Sequence, residues 1–291
     1  MQSFSLTLAL FVLTIGTAPE VLARTETAST TLWGQGSMTH FWYREFNPSA
    51  DDIIDQEYGW LPGLGLKLEM TRGDLFYEGS VQFEYQKLPY DGHTKSGIPA
   101  TTSTNETIWD LNGRMGRWIR PGVKQTAIYA GLGYRQWLRE ILSSSAQGLT
   151  ETYSFTYALV GFKTRLYDGS AGNLYFDFHI IHPLDAEMDV HPFSVQDASS
   201  NIVRTRKTTL NLGEKRGFYI ALPFTMDTGR RLVRFEPFYE YTQFGISPAE
   251  IVRDSSGNVI MVSVGAGSAP LAVLEPESET EKYGLKISFT F

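Results

Sequence analysis

The sequence contains no cysteine, no excess of positive charge and, beyond its first residues, no long hydrophobic run. The absence of cysteine excludes disulfide scaffolds, cysteine-ligated zinc sites and thiol catalysis. Because 25 Lys and Arg residues stand against 32 Asp and Glu residues, the chain offers no basic surface to a phosphate backbone, and we expect no nucleic-acid partner. No apolar run reaches the roughly 20 residues of a transmembrane helix, which excludes a helical membrane bundle.

The N-terminus has the pattern of a signal peptide. The apolar stretch from Leu6 to Ile15 has the length of a signal-peptide core and is too short to span a bilayer. Val21 and Ala23 place slender side chains at the two positions that a signal peptidase reads before Arg24. We therefore predict a signal peptide over residues 1–23 and a single domain over residues 24–291, with a buried first helix as the alternative.

Apolar and polar residues alternate along the remaining chain with the period of β-strands. At the C-terminus, Tyr283, Leu285, Ile287, Phe289 and Phe291 share one parity, and polar or small residues occupy the other. Further alternating segments lie near residues 33–44, 64–70, 75–87, 108–116, 126–138, 151–166, 174–180, 208–224 and 233–242. They predict an all-β chain of about ten antiparallel strands, with eight and twelve as alternatives.

The links between these segments form two groups that alternate along the chain. Short links rich in the turn residues Gly, Asp and Asn lie at 71–74, 120–122, 167–173 and 227–230. Long links lie at 45–57, 88–106, 139–150, 183–207 and 246–279. Short periplasmic turns and long extracellular loops are typical of an up-and-down transmembrane β-barrel in the bacterial outer membrane. The alternative is a soluble β-sandwich or lipocalin-like barrel, whose apolar parity would face inward.

Aromatic residues support the membrane barrel because they collect near both ends of the strands, where the lipid–water interfaces favour them. Near the long loops lie Trp60, Tyr85, Trp109, Tyr134, Trp137, Tyr153, Phe155, Tyr241, Phe244 and Tyr283. Near the short turns lie Phe76, Trp118, Tyr167, Tyr175, Phe224, Phe289 and Phe291. We interpret these two sets as aromatic girdles.

If the apolar parity faces lipid, the polar parity lines the barrel interior. The predicted lumen-lining residues carry both signs of charge and include Glu78, Glu84, Asp110, Arg114, Asp177, His179, Arg234, Glu236, Glu240 and Lys286. Because a ten-stranded barrel is narrow, we expect these charges to pair and to fill the lumen, with a narrow polar conduit as the alternative. Asp177 and His179 could orient a general base, but the sequence shows no nucleophile nearby.

The predicted long loops are acidic. Loop 45–57 holds Asp51, Asp52, Asp55 and Glu57, and loop 246–279 ends in Glu275, Glu277 and Glu279, with Glu281 following it. Oxygen ligands of this kind suit calcium, but we expect these carboxylates to be solvated loop tips. We predict no metal site and no cofactor.

Ten strands, a chain just under 300 residues, a signal peptide, long outer loops and the ending from Gly284 to Phe291 resemble the omptin outer-membrane proteases. The resemblance implies an Asp-x-Asp pair on the second outer loop and an Asp-x-His pair on the fourth, which activate a water across the barrel mouth. Here Asp189 and His191 match the second pair, whereas Asp91 and His93 stand where two aspartates are expected.

Three functions follow as hypotheses. The favoured one is a non-enzymatic outer-membrane barrel with a structural or surface-interaction role. The alternatives are an omptin-like protease that uses Asp91, His93, Asp189 and His191, and a narrow channel. The expected partners are outer-membrane lipid, lipopolysaccharide and the barrel-assembly machinery, which would recognise the C-terminal strand that ends at Phe291.

Overall fold

The computed structural model describes residues 28–47, 52–93, 99–119, 125–142, 148–265 and 267–291. The predicted signal peptide over residues 1–23 therefore lies outside the described residues. Within the described ranges, no helix has the length and apolar character that crossing a membrane would demand.

The regular structure of the described residues consists of β-strands joined by turns and links. In chain order these are β1 (Ala28–Phe46), β2 (Ile53–Arg72), β3 (Leu75–His93), β4 (Pro99–Ile119), β5 (Thr126–Ile141), β6 (Leu149–Gly169), β7 (Gly172–Val190), β8 (Ser194–Gln196), β9 (Ile202–Arg204), β10 (Thr208–Asn211), β11 (Gly213–Glu214), β12 (Gly217–Ala221), β13 (Phe224–Asp227), β14 (Leu232–Gly245), β15 (Glu250–Ile251), β16 (Met261–Val264), β17 (Gly267–Pro270), β18 (Ala272–Val273) and β19 (Glu277–Thr290).

Ten antiparallel wall positions close into one barrel, and we call each of them a stave, whether one strand or several short strands fill it. Strands β1 to β7 pair with their chain neighbours, and the eighth stave consists of β10, β11, β12 and β13, which lie between β7 and β14. Strand β14 pairs with β19, and β19 pairs with β1 from Trp33 opposite Thr290 to Phe46 opposite Glu277. The predicted all-β, ten-stranded antiparallel barrel is confirmed.

The apolar parity of the strands faces outward. Leu64, Leu66, Leu68 and Met70 on β2 are exposed, and Leu64 retains 71% of its accessible surface. The opposite parity is buried inside the barrel and carries charges, as Glu78 on β3 illustrates. A soluble barrel would show the reverse arrangement, whereas an apolar outer wall around a polar interior suits a lipid environment.

The predicted difference between the two ends of the barrel is present and comes mainly from the two longest loop-end links, 191–207 and 246–276, because the turn-end link 120–125 is as long as 47–52. The turn end carries the links 73–74, 120–125, 170–171 and 228–231, and the chain termini of the barrel lie there. The loop end carries the links 47–52, 94–98, 142–148, 191–207 and 246–276. Three of the predicted long loops are therefore mostly strand, because the alternating pattern continues through Pro, Gly and acidic residues that we assigned to loops.

Two long links at the loop end contain hairpins of their own. Strands β8 and β9 pair within 191–207, while β15 pairs with β18 and β16 pairs with β17 within 246–276. The two links touch, since the Ala198 amide donates to the Met261 carbonyl at 2.7 Å and Thr205 forms a bridge with Asp254. Together the hairpins of these two links form a small layer at the loop end of the barrel.

The aromatic girdles are only partly as predicted. Trp60, Tyr85, Trp109 and Tyr134 are exposed on the outer wall toward the loop end. Other members of the predicted girdles are instead buried in the barrel interior: Phe76, Trp137, Tyr153, Phe155 and Phe244. The error arose because we used position along the strand and ignored parity, which decides the face on which a strand residue lies.

Candidate functional site

The barrel interior holds the polar chemistry of this protein. Along each strand, inward side chains follow one another from the turn end to the loop end, as Arg114, Asp110 and Glu106 do on β4. Three groups of contacts result, which we call the turn-end network, the central cavity and the carboxylate cluster.

The turn-end network joins Lys67, Glu69, Glu78, Arg114, Lys163, Asp177 and Arg234. Glu78 lies between three cations, with Arg114 at 2.5 Å, Lys67 at 3.1 Å and Lys163 at 3.3 Å. Arg114 also reaches Asp177 at 2.9 Å. Because each buried charge here has a partner of opposite sign, the network is the filled lumen that such a barrel requires.

Aromatic rings complete this layer. The Trp33 indole nitrogen donates to Glu69 at 2.9 Å, and the guanidinium of Arg234 lies over the Trp33 ring at 4.2 Å. Trp33 is fully buried, and Arg114 lies 4.6 Å above the ring of Tyr129. The layer therefore combines ion pairs with cation–π contacts and closes the lumen toward the turn end.

The central cavity is small and polar, with a volume of about 100 Å³. Arg135 crosses it and binds Asp110 at 2.8 Å and Glu240 at 2.7 and 3.2 Å. Lys282 binds Glu84 at 3.0 Å at its edge. A polar space of this size suits a few water molecules rather than an organic solute.

The carboxylate cluster lies toward the loop end, beyond the exposed outer aromatic residues. It comprises Glu45, Asp55, Glu57, Glu106, Glu151 and Glu275, with Arg139 among them. Arg139 donates to Glu57 at 2.7 Å, to Glu151 at 2.8 Å and to Glu45 at 2.9 Å. Its side chain is almost completely buried, so one guanidinium faces a group of carboxyls in the protein interior.

Tyrosine hydroxyls bind Glu275, another carboxyl of the cluster. Tyr153 donates to Glu275 at 2.7 Å, and Tyr43 lies 3.0 Å from the same oxygen. The rings of Trp137 and Tyr153 stack with centroids 4.5 Å apart. Tyr43 and Tyr153 are fully buried, so this layer closes the lumen a second time.

Burial shifts the protonation of the cluster toward neutral acids. Burial, followed by the negative charge of Glu45, raises the pKa of Asp55 to about 8. Burial likewise raises the pKa of Glu106, with the charge of Glu57 as the next cause, and the pKa of Glu275, with the charge of Glu45 as the next cause. Burial also raises the pKa of Glu151. Arg139 cannot compensate for every carboxyl at once, so the pKa shifts of these four acids all favour the protonated form.

The predicted lumen-lining residues lie on the inner side of the barrel wall. The ten residues Glu78, Glu84, Asp110, Arg114, Asp177, His179, Arg234, Glu236, Glu240 and Lys286 fall within the turn-end network or line the central cavity. The Tyr129 hydroxyl donates to Asp177 and lies 3.1 Å from His179 Nδ1, while the His179 ring stacks on Tyr219. Asp177 and His179 are thus held by tyrosines rather than aligned with each other for catalysis.

The residues of the omptin-like hypothesis lie apart. Asp91 is exposed on the outer side of β3, and Asp189 lies on the outer side of β7, where it binds Lys207 at 2.7 Å and Thr209 at 2.6 Å. His191 Nε2 lies 2.8 Å from the Thr152 hydroxyl. Strands β4, β5 and β6 separate the two walls, so the described residues form no Asp–His site across the mouth; the side chain of His93 lies outside the described residues.

The carboxylate cluster was not predicted from the sequence. We expected Asp55, Glu57 and Glu275 to be solvated loop tips, but Glu57 is 0% exposed and Glu275 is 3% exposed. Their alternation with outward residues such as Tyr58 and Trp60 continues the strand pattern and could have placed them inside. Among the described residues, no group of three or more acidic or histidine side chains is arranged to hold a metal ion.

Comparisons with known proteins give the fold. No protein-family model matches the chain, and no curated protein matches it in sequence. The outer membrane protease OmpT from Escherichia coli is similar in structure, with a TM-score of 0.51 and 11% identity over 94% of this chain and 99% of that chain. The transport unit of the autotransporter AIDA-I from Escherichia coli gives a TM-score of 0.41 and 9% identity, over 93% of each chain. The similarity to OmpT shows that the chain has the fold of an outer-membrane β-barrel, and it confirms the resemblance to the omptin architecture.

Proposed function

We propose that this protein is a closed outer-membrane β-barrel that conducts no solute and acts through the surface at its loop end. The observation that carries the proposal is the double closure of the lumen. Large buried side chains cross it at two levels, Trp33 with Arg234 in the turn-end network and Tyr43, Arg139 and Tyr153 at the carboxylate cluster. A conduit through both levels would have to break buried ion pairs, which is costly.

The loop end supplies the surface for such a role. The two hairpin-bearing links hold aliphatic side chains that are open to solvent, among them Ile202, Ile251 and Val264. The apolar outer wall supports lipid and lipopolysaccharide as partners in the membrane, and export would depend on the predicted signal peptide at residues 1–23. Phe291, which is exposed at the end of the chain after β19, supports recognition of this strand by the assembly machinery.

The proposal is tested by electrical recording from planar bilayers that contain the mature chain. Insertion is verified on the same sample by gel migration, since a folded barrel migrates faster before boiling than after it. We expect the mobility shift without conductance steps. Discrete steps from protein that shows the shift would overturn the proposal and support the narrow channel.

The proposed location has a separate test. Membranes of the expressing cells are fractionated, and the mature chain is followed together with its N-terminal sequence. We expect it in the outer-membrane fraction, beginning at Arg24. Recovery from the soluble periplasm would contradict the proposed location.

A further inference from the structure

Two carboxyl groups of the cluster, those of Glu57 on β2 and Glu106 on β4, are the most completely buried acids of the described residues. Both side chains are 0% exposed. Glu57 accepts from the Thr104 hydroxyl at 3.0 Å, and Thr104 lies two positions before Glu106 on the inner face of β4, so the two buried carboxyl groups are neighbours. Two neighbouring carboxylates repel each other, and burial removes the hydration that would stabilise their charges.

Each of the two carboxyls has one oxygen with donors and one without. One oxygen of Glu57 accepts from Arg139 at 2.7 Å and from the Thr104 hydroxyl at 3.0 Å, while its Oε2 has no partner. One oxygen of Glu106 accepts from the Trp137 indole nitrogen, while its Oε1 has no partner. An ionised pair would leave two buried acceptors unsatisfied, which a native structure rarely tolerates.

We infer that Glu57 and Glu106 share a proton, with Glu106 as the neutral acid that donates to the Glu57 carboxylate, and that this proton holds the loop end of the barrel closed. The distribution of donors decides which group is charged. Glu57 receives the Arg139 guanidinium and is the better carboxylate, whereas Glu106 receives one neutral indole donor.

The surroundings of the pair are strongly acidic. The titratable or charged groups that face it come from every neighbouring element: Tyr43 and Glu45 on β1, Asp55 on β2, Tyr90 on β3, Arg139 on β5, Glu151 and Tyr153 on β6, and Glu275 before β19. Among the described residues, Arg139 is the one cation within ion-pair distance of any carboxyl in the cluster. If all six carboxyls were ionised, one positive charge would face six negative charges, a net of 1 − 6 = −5.

Alkaline solution should therefore loosen the loop end and leave the turn end intact. When the shared proton is lost, Glu57 and Glu106 repel each other across β2 and β4, which are joined through β3 in the wall. The ends of β2 and β4 then move apart, which reduces the repulsion between the two carboxylates and admits water to the cluster. Trp137, which binds Glu106, lies at the site and reports its hydration through its fluorescence.

The test is infrared difference spectroscopy on the folded full-length mature chain, between about pH 6 and about pH 9, a range in which ordinary carboxyls do not titrate. Asp55, with a pKa of about 8, also titrates in this range and contributes its own band to the wild type and to both interior variants. We expect the wild type to show a further component of the neutral-acid carbonyl stretch, and the Glu106→Gln variant to lack that component. Glutamine keeps the shape of a neutral acid and can still donate to Glu57, so this variant should fold. Its Trp137 fluorescence should change less with pH than that of the wild type.

A second variant keeps the inference testable if Glu106→Gln does not fold. In Glu57→Gln the new amide can donate to Glu106, which then becomes the carboxylate, so the same infrared component should also disappear. Glu187→Gln is the matched control, because Glu187 is exposed on β7 and should leave the component unchanged. An unaltered component in both interior variants, or its absence from the wild type, would overturn the inference. Conductance is a separate measurement, so failure here is distinguishable from failure of the proposed function.

Discussion

The side chains that fill the two ends of the lumen differ in their balance of positive and negative charge. In the turn-end network, four cations (Lys67, Arg114, Lys163 and Arg234) surround three anions (Glu69, Glu78 and Asp177) at ion-pair distances. In the carboxylate cluster, the one guanidinium of Arg139 lies within ion-pair distance of four of the six acids. A balanced network keeps its charges over a wide pH range, whereas the acid-rich cluster depends on bound protons. The stability of the turn-end network should therefore change little with pH, whereas the stability of the carboxylate cluster should depend on it.

The largest effect is expected from removing the single cation of the cluster. Arg139→Met leaves the buried carboxyls without their common partner and should lower the free energy of unfolding by about 3–5 kcal/mol at neutral pH. Urea unfolding in lipid vesicles, followed by gel mobility, measures it. Arg117→Met is the control, because Arg117 is largely exposed and its 4.0 Å pair with Asp74 should contribute less than about 1 kcal/mol. Equal losses in both variants would contradict the role of Arg139.

The corresponding change at the turn end should be smaller. Glu78→Gln keeps the side-chain shape but removes the charge that three cations share, and it should lower the free energy of unfolding by about 1.5–3 kcal/mol. The loss should be the same near pH 6 and near pH 9, since these cations stay charged throughout. A loss that varies steeply between those two values would show that the turn-end network is not balanced.

A pH series on the wild type distinguishes the ends directly. The pKa of Asp55 is about 8 in the folded protein, against a model-compound value of 3.8. Between these values the folded state binds a proton that the unfolded state has released, so the stability falls as pH rises, by at most about 1.4 kcal/mol per pH unit for this one group. Asp55→Asn should flatten the curve of unfolding free energy against pH. An unchanged slope in the variant would remove Asp55 from the explanation.

The smallest effect is expected at His191. Its contact with Thr152 lies on the outside of the wall, so His191→Ala should lower the free energy of unfolding by about 1 kcal/mol. The same variant tests the omptin-like hypothesis through cleavage of a fluorogenic peptide library. We expect no cleavage that depends on His191. Cleavage by the wild type that disappears in His191→Ala would show that the two walls come together in solution.

Local pattern was sufficient for the barrel but not for its interior partners. The alternation of residues such as Leu285, Ile287 and Phe289 predicts which face of β19 is apolar, because a strand reverses the direction of its side chains at each step. The partners of Arg139 are a different problem. Glu45 is 94 residues away in sequence and reaches Arg139 only because the barrel closes. Periodicity records the parity of each residue and carries no information on which inward side chains meet across the lumen.

Strand ends were predicted too short for a related reason. We took Asp55, Glu57 and the segment around Pro89 as loop because acidic residues and proline are common in loops. In the structure β2 has 20 residues and β3 has 19, about twice the 9–11 residues that a membrane crossing needs. In the proposed membrane, the extra length carries the walls beyond the bilayer, and Asp55 and Glu57 in this part of β2 face inward.

The broken eighth stave has a consequence for the way the wall opens. Nine staves are continuous ribbons, but this one is divided among β10, β11, β12 and β13, and Pro223 contributes no amide hydrogen to the ladder. In hydrogen-exchange terms, the amides of β7 and β14 that face the breaks should lose protection earlier than those of β3 and β4, which pair without interruption from Leu75 to His93. The hydrogen bonds that join the eighth stave to β7 and β14 should therefore be the first in the barrel to open.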